Sequence, residues 1–354
     1  MIASSRARRG LTAAAGLSLG WAVIGALVLG GALLVGFAVG PVDLGVGAIV
    51  REILSHVPFL GVKSPLDDTE QAIFWQLRAP RVVLGALVGA MLASAGAGYQ
   101  GVFRNPLADP YLLGAAAGAG LGATLVIAYA NDSGASRELR PLAAFVGATA
   151  GVAAAYAIGR SVGGRTTASL ILAGVTVASF LTAVQTFVQQ RNTDTVQQVY
   201  AWILGQLETS GWREVAIALP YMAVSWAVLL VHGRLLDVLA VGDEEASSLG
   251  VSVSRVRLLV LGAATLGTAV AVALSGLIVF VGIIVPHAIR LVAGTSYRVV
   301  MPLSIMFGGA FLVLADVLAR TVTSPAELPI GVVTAFFGAP FFALLLRTTR
   351  VAGP

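Results

Sequence analysis

RLLDVLAVGDEEASSLGVSVSRVR, Arg234 to Arg257, is a compact charged segment between two long uncharged runs, Val215–Gly233 and Leu258–Ile289. It reads as a short helix. The order of residues predicts Asp243 as N-cap, with Glu244 and Glu245 in a first turn where the helix dipole favours negative charge. Gly242 precedes the cap, and Gly250 is a natural stop at C′. Ala246 and Leu249 fall three apart, on one face of a helix barely two turns long. Nucleation costs more than so few hydrogen bonds return, so such a helix needs a surface to lie against.

The rest of the chain places that helix at a membrane. Of 354 residues 57 % are hydrophobic and only 11 % are charged, against roughly 25 % in soluble domains. A water-soluble fold of this composition would expose far too much apolar surface. There is no cysteine, which removes disulfides, thiolate nucleophiles and cysteine-ligated metals. Of the 22 basic residues all but Lys63 are arginine, and the net charge is +5. In such a chain a basic excess reports cytoplasmic loops rather than nucleic acid.

Arg6, Arg8 and Arg9 precede an uncharged run from Gly10 to Val42, far longer than the 7–15 apolar residues of a signal peptide core. It is read as a retained span with the amino terminus inside. A mixed polar loop follows over 43–81. The runs Val82–Phe103, Tyr111–Asn131, Pro141–Gly159, Thr166–Gln190 and Val215–Gly233 are each about long enough for a bilayer core of roughly 30 Å. Thr195–Leu207 is too short to span and reads as a short helix at the outer surface. Leu258–Ile289 is long for one span and short for two; Gly276, Gly282 and Pro286 suggest a break after Ser275. Val299–Ala319 and Leu328–Leu346 complete ten spans. With ten, 13 basic residues fall inside and 9 outside; with Leu258–Ile289 as a single span the division is 10 to 12. The positive-inside rule favours ten.

Small residues recur every fourth position, as in Gly85, Gly89, Ala93, Ala97 and Gly101, or Gly114, Gly118 and Gly122. Such stripes let helices approach closely in lipid.

Few residues here could carry chemistry. A P-loop needs a Gly-Lys pair, and Val62 precedes the one lysine, so ATP work falls to a partner. Ion-coupled transporters keep ionisable groups near the midplane, yet nine of the ten spans lack Asp and Glu. The exception, Asp316, lies four residues before Arg320 and reads as a structural ion pair rather than a proton relay. His287 reads as a helix-end hydrogen-bonding residue. Arg78 and Arg81 sit at the mouth of the second span, as interface anchors or as a docking point for an acidic partner. In FRNPLADP, Phe103–Pro110, the two prolines push Asn105 and Asp109 out of the helical region, making a tight reversal with a structural or a gating role.

Taken together, QLRAPRVVLGALVGAMLASAGAGYQGVFRNPLADPYLLGAAAGAGLGA, LILAGVTVASF, LAVGDEEASSLGVSV, SGLIVFVGIIVPHAIRLVAG and LADVLARTVTSPAELPIGVVTAFFGAPFFALLL resemble the FecCD-type permease subunits of bacterial ABC importers for iron chelates, haem and cobalamin. The resemblance runs from about residue 70 to 350. It implies an all-α polytopic fold of the type II importer permease, one transmembrane domain over 1–354 with a coupling-helix loop at about 234–257. It also implies a second permease copy, identical or closely similar, two ATPase subunits that hold ATP and Mg, and an extracytoplasmic binding protein. By the same resemblance Gly242–Gly250 couples to the ATPase, Asn105, Leu107, Thr167 and Ala168 lie at the cytoplasmic gate, and Arg78, Arg81 and Arg320 dock the binding protein. Ala168 departs from the hydroxyl residue of a relative.

The expectation is a multi-pass subunit of the bacterial inner membrane with both termini cytoplasmic. It binds no metal or cofactor itself, is not an enzyme, and passes a ferric siderophore by alternating access. Haem and cobalamin are the alternatives within the family. An ion-coupled secondary transporter is the rival of another class, and a membrane-embedded enzyme lacks a convergent set of catalytic groups.

Overall fold

Long runs of Ala, Gly, Leu and Val without charge have one way to satisfy their backbone in lipid, which is to bond it within helices. The computed structural model describes residues 16–40, 42–130, 136–161, 167–207, 209 and 211–350, and among these there is no strand. In chain order the helices are α1 (Leu19–Ala38), α2 (Val46–Ser55), α3 (Asp68–Ala72), α4 (Ala79–Phe103), α5 (Ala115–Tyr129), α6 (Ser136–Ser161), α7 (Thr167–Arg191) and α8 (Val196–Ile203). Then come α9 (Arg213–Val231), α10 (Gly233–Leu239), α11 (Asp243–Ser248), α12 (Val253–Ser275), α13 (Val281–Ala293), α14 (Tyr297–Thr321) and α15 (Ile330–Arg350).

Among the described residues seven helical runs are long and apolar enough to cross a membrane: α1, α3 through α4, α6, α7, α9, α12 and α14. Three shorter apolar helices, α5, α13 and the first part of α15, stand where the sequence predicts the other spans. Leu258–Ile289 does break: α12 ends at Ser275 and α13 starts at Val281. Gly276 turns the chain with φ +68°, and the Tyr111 hydroxyl donates to the freed carbonyl of Ile278 at 3.0 Å.

The predicted loop over 43–81 is in large part helical. Asp67 caps α3 in a reciprocal box with Glu70. The helix then widens into a π turn over Ile73–Arg78 before entering α4. Pro80 lacks the N–H that would pair with Gln76, and a π turn just ahead absorbs the missing bond. Arg78 and Arg81 therefore sit within a continuous helical run, not at its mouth.

At the centre stands α4, buried almost throughout from Val82 to Phe103 and packed by α9, α12, α13 and α14. Its polar groups are satisfied inside the bundle, as lipid requires: Ser94 accepts from Trp226 Nε1 at 3.0 Å and Tyr99 shares a 2.8 Å bond with Thr265. A second group, α5 to α7, packs on itself and on α12. A Cβ at Gly118 would lie against the Gly147 carbonyl, and one at Gly147 against that of Gly118. The stripes pack helices.

Candidate functional site

One end of the bundle gathers the turns after α4 and α13 and the segment from α10 to α11. His232 ends α9, with Nδ1 2.7 Å from the Val228 carbonyl. Leu236 and Leu239 of α10 are wholly buried. Asp237 accepts from the Ser296 hydroxyl at 2.7 Å and the Tyr297 N–H at 2.6 Å, so α10 is tied to the start of α14. Its anchor is polar and specific.

The helix predicted at Gly242–Gly250 is α11. Its N-cap, however, is Gly242 and not Asp243, which is the first helical residue. Gly242 has φ +156°, and the Glu245 carboxylate occupies the place a Cβ there would take. Asp243 is thus free for another task. Its Oδ1 lies 3.3 Å from Arg104 Nη2 and accepts from Arg257 Nη2 at 2.9 Å. At the other end the reading holds: Gly250 is left-handed at φ +81°, and the Val251 N–H donates to the Ala246 carbonyl at 3.0 Å. Ala246 and Leu249 do not share a face. Ala246 is fully buried against the bundle, whereas Leu249 and Val241 are each 71 % exposed, because Leu249 is already the C-cap, where the chain turns away. Glu244 and Glu245 are exposed beside them. A buried alanine holds the helix down, and two apolar side chains and two carboxylates face outward.

Arg104 brings the adjacent turn into the same unit. It ends α4 in a left-handed conformation. The next residue, Asn105, folds its Oδ1 back to accept from the Leu107 N–H at 2.9 Å. Asp109 is extended, as Pro110 demands, and caps the following 3-10 turn through the Tyr111 N–H at 2.8 Å. Burial pushes the Asp109 carboxyl up to about 6. On the neighbouring α7, Ala168 is exposed, and Gly174 sits against the Leu112 carbonyl. The Thr167 side chain lies outside the described residues. Along α7 a concavity of about 490 Å³ is lined by Asp109, Tyr111, Val175, Ser179 and Thr182.

At the opposite end the three arginines expected to dock a partner are turned inward. Arg78, 6 % exposed, donates to the carbonyls of Phe37 at 2.9 Å and Val42 at 2.7 Å. Arg320 reaches the carbonyl of Val39 at 3.2 Å. Two guanidiniums thereby satisfy the orphan carbonyls at the end of α1, where a cation also suits the dipole. Arg320 pairs with Asp316 at 3.0 Å as the spacing predicts. The same carboxylate takes Arg81 at 2.9 Å, and Arg81 in turn holds Glu327 at 2.8 Å. Of the three, Arg81 alone has a half-exposed partner, Glu327. His287 departs from expectation: it lies mid-helix in α13, with neither ring nitrogen hydrogen-bonded among the described residues.

Arg104, Asp237 and Arg257 escape a reading of the sequence. Arg104 and Asp237 sit far along the chain from their partners, Arg257 lies 14 residues from Asp243 across the turn after α11, and no local pattern pairs an arginine after one span with a carboxylate 139 positions on.

A bundle of apolar helices long enough to cross a membrane, with a short helix exposing apolar and acidic side chains at one end, is the architecture of a polytopic membrane protein. Residues 26–348 match the FecCD transport family, and the chain belongs to it. It is 46 % identical over 285 residues to the cobalamin import system permease protein BtuC of Halobacterium salinarum, covering 80 % of this chain and 76 % of the relative. Against the Fe(3+)-citrate import system permease protein YfmD of Bacillus subtilis it is 38 % identical over 308 residues, covering 87 % and 90 %. The fold superposes on a metal-chelate type ABC transporter solved in an inward-facing conformation, with TM-score 0.79, 26 % identity, and 92 % and 97 % of the two chains covered. This chain is accordingly the multi-pass permease subunit of an ABC importer; it is not an enzyme, and a separate subunit is the ATPase.

Proposed function

We propose that this permease passes a large metal chelate between two copies of itself, driven by two ATPase subunits that dock on α11. The observation that carries the reading is the Asp243 carboxylate held by both Arg104 and Arg257. A push on α11 reaches the turn holding Asn105 and Leu107 through one ion pair, and reaches α12 through the other. Val241, Leu249, Glu244 and Glu245 are the face offered to the ATPase, an apolar pair flanked by acid that suits a groove with basic walls. ATP and Mg belong to the partner. The reading takes the α11 end as the cytoplasmic one, on the distribution of arginine, and with it assigns both termini to that side.

In this reading Asn105, Leu107, Thr167 and Ala168 form the cytoplasmic gate. The uncharged wall of α7 lines the path, where few strong contacts would hold a bulky solute. An extracytoplasmic binding protein docks at the other end, where Arg81 exchanges Glu327 for a receptor carboxylate while Arg78 and Arg320 hold α1 in place.

Among chelates, the higher identity goes with a cobalamin permease, 46 % against 38 % for the iron-citrate one. Cobalamin is therefore the first solute to test, with ferric siderophore beside it and haem third. The test is reconstitution with the ATPase and binding protein in liposomes, with uptake of each chelate measured. Glu244→Lys with Glu245→Lys is expected to abolish stimulated ATP hydrolysis while leaving membrane insertion intact; unchanged stimulation would remove α11 from the coupling path.

A further inference from the structure

At the α11 end two cavities meet. The larger, about 730 Å³, is lined by Arg104, Arg234, Asp237, Arg290 and Arg298. The second, about 470 Å³, shares Arg234, Tyr297 and Arg298 with it and continues along Leu17, Leu230 and Pro302. One is cationic, the other apolar, and a common wall of two arginines and a tyrosine joins them.

Among the described residues the first cavity is lined by more arginine than carboxylate. Asp237 is its one carboxylate, and both its oxygens are taken by Ser296 and the Tyr297 N–H. Arg290 donates to the neutral Gln100 side chain and lies 5.4 Å from the centre of the Tyr297 ring. No hydrogen bond or ion pair engages the exposed Arg234 guanidinium among the described residues. Arg104 is paired with Asp243, which does not line the cavity. A cavity with this surplus draws an anion.

The second cavity says which anion. It is lined by Leu230 and Val231, which end α9 and are 44 % and 75 % exposed on the outside of the bundle. Three residues on, Arg234 stands where the span gives way to α10. Apolar wall below and arginine above is the layout of a leaflet boundary, and basic pockets between spanning helices take acidic lipid head groups. We infer that Arg234, with Arg290 behind it, holds the phosphate of an anionic phospholipid from the leaflet at the α11 end, with an acyl chain in the groove of Leu17, Leu230, Val231 and Pro302. The inference does not depend on the solute transported; it takes from the functional reading only the name of the leaflet, cytoplasmic.

The lipid would stiffen the joint between α10 and α14 that α11 hangs from, because Tyr297 walls both cavities and its N–H is bound to Asp237. The test uses the full chain in a neutral detergent, unfolded by heat during titration with phosphatidylglycerol, phosphatidylcholine or soluble glycerol phosphate, with bound lipid counted by native mass spectrometry. Phosphatidylglycerol is expected to raise the midpoint by several degrees at saturation, with one or two molecules retained. Arg234→Gln is expected to weaken that effect about tenfold in lipid concentration, and Arg234→Lys to keep it within about threefold. Arg234 is exposed and has no hydrogen bond or ion pair among the described residues, so the variants are expected to fold; a Val231→Ser variant, which leaves every arginine in place, is expected to weaken the lipid effect without altering the response to glycerol phosphate. An equal shift from phosphatidylcholine would overturn the proposal as general lipid solvation, and an equal shift from glycerol phosphate as a free-anion site. An unchanged Arg234→Gln titration would place the lipid elsewhere. Displacement of the retained lipid by added ATPase would assign the cavity to that partner instead.

Discussion

Arg104 and Asp243 stand 3.3 Å apart, one closing α4 in a left-handed turn and the other opening α11. This pair ties the turn over 104–109 to α11, and Arg257 extends the tie into α12. The groups are each about 40 % exposed, so the pair contributes little to stability, within about 1 kcal/mol. Its value lies in geometry.

Asp243→Asn is therefore expected to leave the thermal midpoint within a few degrees of the parent while lowering permease-stimulated ATP hydrolysis severalfold. Parallel unfolding and ATPase assays on the reconstituted complex check this. A fall in stability with coupling intact would reduce the bridge to a structural contact.

Asp316 presents the opposite balance. It is 2 % exposed and holds two arginines, so Asp316→Asn leaves the buried Arg320 guanidinium without its carboxylate and Arg81 with Glu327 alone. Removing one member of a buried ionic group costs about 3–5 kcal/mol. The variant is expected to unfold at markedly lower temperature or denaturant, with the folded fraction still transporting at near-parental rate. Abolished transport in a well-folded Asp316→Asn protein would instead argue for proton coupling.

Asp109 predicts a pH dependence. Its carboxyl titrates near 3.8 when unfolded and near 6 when folded, so between those values the folded chain binds the more protons. Stability from this group is complete below about pH 4, declines as pH rises to about 6, and is flat above. Asp109→Asn keeps an oxygen for the Tyr111 N–H and removes the ionisation. The variant should match the parent at pH 4 and exceed it at pH 7.5, by at most about 3 kcal/mol. Unfolding midpoints at the two pH values decide it.

Gly118→Ala tests the close approach of α5 and α6. The added Cβ would overlap the Gly147 carbonyl, and helical backbones cannot yield there without separating the pair. A loss of about 2 kcal/mol is expected, read as a lower unfolding midpoint in detergent. The adjacent Ala119, already carrying a Cβ and wholly buried, is the control when replaced by Gly.

Much of this architecture is written locally. Apolar run lengths locate the spans, because a bilayer imposes one length and one hydrogen-bonding solution on every crossing. Gly250 ends α11 by its own conformational freedom, and Asp316 finds Arg320 because helical spacing carries one to the other. What sequence cannot express is which distant group a charge will meet. Asp243 has the place and chemistry of a cap, yet Gly242 takes that post and Asp243 turns to Arg104 and Arg257. The resemblance marks Arg78 and Arg320 as docking residues, while the tertiary structure brings the end of α1 onto them, their N–H groups donating to the carbonyls of Phe37 and Val39. Local propensity chooses helices and their ends; the packing of α1, α4, α11 and α14 chooses partners, because an unpaired charge or carbonyl removed from water costs more than any local preference can offset.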